Sequence, residues 1–98
     1  MEIIKEKNGT RFDLSLVGRL DTTTAPQLEE VVTNELDGVD TLSLDFAKLE
    51  YISSAGLRVL LAAQKLMNKQ GNMTIKNVND DINEVFEITG FSDILTIE

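Results

Sequence analysis

The apolar residues of this chain follow two different periods, and the alternation between them limits the folds open to it. Phe12, Leu14 and Leu16 alternate with Asp13 and Ser15, and Leu42, Leu44 and Phe46 alternate with polar residues. That two-residue period belongs to a strand buried on one face. Between these runs Leu28, Val31, Val32 and Leu36 recur at helical spacing, and a longer helical pattern spans about Ser54 to Gln70. Asn8-Gly9, set between Met1–Lys7 and Arg11–Val17, is a two-residue hairpin signal. Strands alternating with helices after an opening hairpin predict an α/β fold, with helices packed against a mixed sheet of four to five strands.

The element boundaries follow from caps and breakers. Thr24-Ala25-Pro26-Gln27 reads as a capping box with proline in the first turn. The helix it opens runs to about Leu36 and ends at Asp37-Gly38. A third strand covers Thr41 to Phe46, and Ala47 to Tyr51 reads as a connection. On the second helix Leu57, Leu60, Leu61 and Gln64 mark one face, continued by Met67 and Asn68. Val59, Ala62, Ala63 and Leu66 fall elsewhere on the wheel, so this helix is either deeply buried or meets a partner. Gly71 closes it and Met73 to Val78 forms a fourth strand. Asn79, Asp80 or Asp81 caps a third helix with Ile82, Val85 and Phe86 inward, Gly90 ends it, and Ile94 to Ile97 reads as a final strand. No linker or repeat interrupts the 98 residues, which predicts one domain over 1–98 with a single two-layer core.

Several chemistries are ruled out by composition. The chain has no His and no Cys, which excludes a Ser-His-acid triad, histidine or thiolate metal sites and a disulfide framework. There is no phosphate-cradling Gly-x-x-x-x-Gly-Lys-(Ser/Thr) loop. The carboxylate pairs Glu29-Glu30 and Asp80-Asp81 read as helix-dipole or solubility features. An enzyme is therefore not expected, nor is a cofactor or metal. One Tyr and four Phe give no platform for stacking bases, and a net charge of −8 disfavours nucleic acid. No apolar run approaches the ~18 residues of a membrane span. Met1-Glu2-Ile3-Ile4-Lys5 also lacks the basic start of a signal peptide, so a cytoplasmic location without membrane insertion is expected.

Charge is unevenly distributed. Residues 1–50 hold 11 acidic and 5 basic side chains, and residues 80–98 hold 6 acidic and none basic. Between them, residues 51–79 carry Arg58, Lys65, Lys69 and Lys76 and no Asp or Glu. That acid-free stretch opens with Tyr51-Ile52-Ser53-Ser54-Ala55-Gly56-Leu57-Arg58-Val59-Leu60-Leu61, two adjacent hydroxyls at a helix start. Serine there caps unpaired backbone N–H groups, and the helix field favours added negative charge. On this reading Ser53 is an N-cap and Ser54 a small first-turn residue, and a phosphate on either would change the local charge by about −1.5 to −2.

The same segment resembles the phosphorylation segment of STAS domains, in particular the bacterial anti-sigma factor antagonists. Gly18-Arg19-Leu20-Asp21-Thr22-Thr23-Thr24-Ala25 is similar to the family's Gly-x-Leu-Asp-x-x-Thr-Ala motif. Val85-Phe86-Glu87-Ile88-Thr89-Gly90-Phe91 is similar to its Phe-x-x-(Ser/Thr)-Gly-(Leu/Phe) ending. The three matches lie in family order across nearly the whole chain.

The resemblance implies a single STAS domain that binds a serine-kinase anti-sigma factor and frees a sigma factor, with a PP2C-type phosphatase reversing the kinase. It also leaves room for self-association. Aligned on Gly56-Leu57, it puts the phosphorylatable hydroxyl at Ser54, with Ser53 as the fallback. The family's preceding Asp is replaced by Ser53, its following Ser or Thr by Ala55 and its second Gly by Arg58. Arg58, one turn after Ser54, is placed to pair with a phosphate there. Asp21 matches the motif Asp of the partner-binding surface. The expected binding surface is Asp21, Thr22, Ser53, Ser54, Leu57 and Arg58. The rival reading is a STAS interaction module of another regulatory or membrane-transport complex, without a phosphorylation switch.

Overall fold

A computed structural model describes residues 1–98. A hairpin of β1 (Glu2–Asn8) and β2 (Arg11–Leu20) leads into α1 (Ala25–Asn34), β3 (Thr41–Ile52), α2 (Ser54–Gln70), β4 (Asn72–Lys76) and α3 (Asp80–Thr89), followed by a 3₁₀ turn at Phe91–Asp93. The four strands form one sheet in the order β1-β2-β3-β4, antiparallel in the hairpin and parallel thereafter. The two parallel crossovers advance across the sheet in the same direction, and α1 and α2 lie side by side on one face. The inward strand residues Phe12, Leu14, Leu16, Leu42, Leu44, Met73 and Ile75 meet the helices there in one core of 25 buried residues. On the opposite face Asp13, Ser15, Asp45, Thr74 and Lys76 stay half open to water. The predicted α/β class and mixed sheet are therefore what the chain forms. No helix is long and apolar enough to cross a membrane.

The strand expected to stop at Phe46 continues to Ile52, so Ala47 to Tyr51 is not a connection. Two irregularities in the β2–β3 pairing, between Ser15 and Val17 and between Gly18 and Arg19, each insert one extra residue into β3. The inward residues then fall at Phe46, Leu49 and Ile52, three apart rather than two. Bulges bend a strand without ending it and break the period by which strands are recognised. Asp45 holds the first of them: its Oδ1 accepts from the Ala47 N–H at 2.9 Å and from Asn77 Nδ2 at 3.0 Å.

Because β4 ends at Lys76, the second half of β3 loses its neighbour. Asn79 fills that role. Its Nδ2 donates to the Leu49 carbonyl at 3.1 Å, while its Oδ1 accepts from the Ile82 N–H at 2.8 Å and caps α3. One side chain thus satisfies an orphan strand carbonyl and an orphan helix donor. Ile82 and Phe86 carry α3 into the core, the Phe86 ring 6.4 Å from that of Phe46. The final strand expected at Ile94–Ile97 shrinks to a single parallel bridge between Ile97 and Ile75. The N–H groups of Ile94 and Leu95 both turn back to the Phe91 carbonyl, at 3.0 and 2.8 Å, so these two residues extend the 3₁₀ turn at Phe91–Asp93 instead of joining a strand.

The long helix buries one broad face and leaves the other, with Ser54, Arg58, Ala62 and Lys65, open to water. Leu57, Val59, Leu60, Ala63, Gln64 and Met67 are all buried, Leu61 and Leu66 are half-buried, and Ala62 is exposed. Its end is fixed by close approach rather than by an unusual backbone. A Cβ on Gly71 would lie 1.8 Å from the Asp40 carbonyl oxygen, and that oxygen accepts the Asn72 N–H at 2.9 Å.

Two outcomes follow for stability. Asn79→Ala is expected to cost about 2–3 kcal/mol in urea unfolding, with Asn79→Asp recovering the helix cap but not the Leu49 bond. Asp45 is held below its ordinary value of 3.8, first by the Asn77 hydrogen bond. A depressed native pKa adds stability that is complete above the unfolded-state value. That contribution declines as pH falls through 3.8 and is gone below the native value. Urea midpoints measured from pH 6 to pH 2.5 should therefore fall less steeply for Asp45→Asn than for the wild type.

Candidate functional site

The bulged β3 stays in step with β2 up to the last residue of each, so Leu20 lies opposite Ile52. The Ser53 N–H donates to the Leu20 carbonyl at 2.9 Å, one residue past the sheet. Asp21 and Ser53 therefore leave the two strands side by side. The first turn of α2 rests directly on the strand ends: a Cβ on Gly56 would come within 2.7 Å of Leu20 Cγ and 3.0 Å of Ile52 Cγ1. Glycine is required here for close packing, because both neighbours are buried and fixed.

The two serines differ in what their hydroxyls do. Ser53 is extended, and its Oγ accepts from the Gly56 N–H at 3.4 Å as the N-cap. Ser54 is the first helical residue; it is exposed, and its hydroxyl makes no hydrogen bond within the chain. No acidic residue occupies the first turn of α2.

Asp21 organises the facing loop. Its Oδ1 accepts from the Thr23 N–H at 3.0 Å, the Thr23 hydroxyl at 2.8 Å and the Thr24 N–H at 3.1 Å. These bonds, the Thr23 hydroxyl foremost, hold its carboxyl below the usual range. Thr24 does not form the expected capping box. Its hydroxyl instead donates to the Arg19 carbonyl at 2.8 Å and accepts from the Asp21 N–H at 2.9 Å, so it closes the loop rather than the helix. The second Asp21 oxygen lies 3.8 Å from Arg19 Nε, and the Arg19 guanidinium sits 4.3 Å above the exposed Tyr51 ring.

Of the residues expected to form a binding surface, Asp21, Thr22, Ser53, Ser54 and Arg58 gather at this end of the molecule. Thr22 and Arg58 share a groove of about 210 Å³ between α1 and α2, with Pro26, Glu29 and Ala55. Leu57 is a correction: it is only 7% exposed and belongs to the core, because helical spacing turns it toward the sheet. Arg19 and Tyr51, which periodicity did not flag, lie beside Asp21 at the same end. They become neighbours only through the bulged register that aligns them across β2 and β3.

A STAS domain family profile matches residues 2–98. The chain belongs to the STAS domain family. Among curated relatives, it is 34% identical over 98 residues to the anti-sigma-B factor antagonist of Listeria monocytogenes, covering 97% of this chain and 85% of that one. The anti-sigma factor antagonist SpoIIAA, solved in its unphosphorylated form, superposes with a TM-score of 0.79 at 18% identity, over 99% of this chain and 87% of that one. The phosphorylated form of SpoIIAA, a Bacillus cell fate determinant, gives 0.78 at 18% identity over 99% and 91%. At that identity the superpositions speak for a shared STAS fold.

The different roles of the two hydroxyls should be measurable. Ser53→Ala is expected to cost about 1 kcal/mol of stability, while Ser54→Ala stays within about 0.5 kcal/mol of the wild type. Gly56→Ala, which forces α2 away from Leu20, should cost about 1–3 kcal/mol. Chemical denaturation of the three variants checks the order.

Proposed function

We propose that this chain is an anti-sigma factor antagonist worked by phosphorylation of Ser54. Unphosphorylated, it docks through the Asp21 loop and the start of α2 onto an anti-sigma factor with serine-kinase activity, and a sigma factor is freed. The kinase transfers a phosphoryl group from ATP to the Ser54 oxygen, the complex separates, and a PP2C-type phosphatase hydrolyses the phosphoserine to reset the switch. The observation that carries this reading is the contrast between the two serines: the Ser53 oxygen is engaged in capping, whereas the Ser54 oxygen stands exposed beside a loop fixed by Asp21. The kinship with anti-sigma factor antagonists supports it.

The physical step is local. Phosphate at the first turn of a helix is compatible with the helix field, so the domain stays folded. Release comes from charge and desolvation at the interface. A like-charge contact of ~3 kcal/mol would weaken docking by about two orders of magnitude.

The test is calorimetric titration of the wild type, Ser54→Ala and Ser54→Asp against the cognate anti-sigma kinase. Ser54→Ala is expected to bind like the unmodified wild type and resist phosphorylation, and Ser54→Asp to bind at least tenfold more weakly. Equal affinity of all three would point instead to a STAS interaction module without this switch.

A further inference from the structure

We propose that Arg58 is the group over which phosphate and partner compete: unmodified, its guanidinium pairs with a carboxylate of the docked partner, and a phosphate on Ser54 takes it away. This rests on the function proposed above and concerns how the same site is regulated.

Arg58 differs from the two other arginines in having no counter-ion. Arg11 lies 3.0 Å from Asp13, and Arg19 lies 3.8 Å from Asp21. Arg58 is exposed and forms no ion pair within 4.0 Å. Its own helix offers none, since residues 51–79 contain no Asp or Glu. Across the groove the one acidic side chain is Glu29 of α1. A free guanidinium at the rim of a docking surface, on a chain of net charge −8, is complementary to an acidic group on the incoming protein and to little else nearby.

The spacing supplies the competitor. Ser54 and Arg58 stand at i and i+4 on α2, so their Cβ atoms are about 5–6 Å apart on one face. A phosphate on Ser54 would offer three acceptor oxygens and about −1.5 to −2 charge within reach of that fork. It is tethered, so it meets Arg58 at high effective concentration, whereas the partner's carboxylate must be brought there. Once the fork is occupied, an approaching carboxylate loses its attraction and meets surplus negative charge. Both changes oppose docking, so one modification yields two unfavourable contributions.

The experiment uses the full chain with phosphoserine installed at Ser54 by nonsense suppression, so it does not depend on the kinase. In a ³¹P NMR titration the second phosphate pKa should be lower with Arg58 present than in Arg58→Ala by about half a unit. Identical titration curves would overturn the pairing. In the unmodified chain, Arg58→Ala should weaken binding to the anti-sigma kinase about tenfold and Arg58→Glu about a hundredfold, with Arg58→Lys between wild type and Ala. Equal affinities across the series would overturn the partner contact. Failure of the switch itself reads differently: the installed phosphate would leave the complex intact while Arg58→Glu still disrupted it.

Discussion

The parallel pairing of β2 with β3, held through two bulges to the last residue of each strand, is the constraint on which the site depends. It places Leu20 opposite Ile52 and lets the Ser53 N–H close onto the Leu20 carbonyl. Everything outward of that bond is then positioned by short covalent reach. Asp21 continues from Leu20 into a loop closed by Thr23 and Thr24, Ser54 follows the Ser53 cap into α2, and Gly56 seats the helix on both strand ends. The site is a loop and a helix start borne on a buried apolar clamp, the loop closed by its own bonds among Asp21, Thr23 and Thr24.

Legibility in the sequence tracked how local each signal was. The long helix could be read from Ser53 to Gly71 because its caps and its apolar face all lie within it. The first half of β3 was legible by its two-residue period. The second half was not, because each bulge shifts the phase and leaves Phe46, Leu49 and Ile52 at intervals of three. Thr24 looked like a helix cap because cap chemistry and loop-closing chemistry use the same hydroxyl, and only the tertiary position of the Arg19 carbonyl decides between them. The last strand looked complete from Ile94 to Ile97, but a 3₁₀ turn draws the chain in and leaves one bridge. At the site, Asp21, Ser53, Ser54 and Arg58 were visible from motif resemblance, whereas the pairing of Arg19 with Tyr51 required knowledge of the register.

The distribution of charge gives the site its electrostatic character. The acid-free stretch begins where the backbone already directs unpaired N–H groups outward, so helix field and side-chain charge have the same sign there. Against it, the facing loop keeps a single ionised carboxylate, with one oxygen locked by Thr23 and Thr24 and the other turned toward Arg19. Positive and negative groups thus stand next to each other without cancelling. This end of the molecule presents a fixed pattern of charge rather than a net excess of one sign.

The hairpin that opens the chain leaves β1 with one unpaired edge, and its sequence guards against the growth that a bare edge invites. If two copies extended the sheet antiparallel with their helices on the same side, only residues of like parity could face each other across the seam. Centred on Ile4, that seam opposes Glu2 to Glu6; centred on Lys5, it sets two ammonium groups face to face; centred on Glu6, it pairs that glutamate with itself and Lys5 with Lys7. Each central register therefore carries its own repulsion, and the alternating charges of a seven-residue strand discourage fibril-like stacking without a proline or a covering loop.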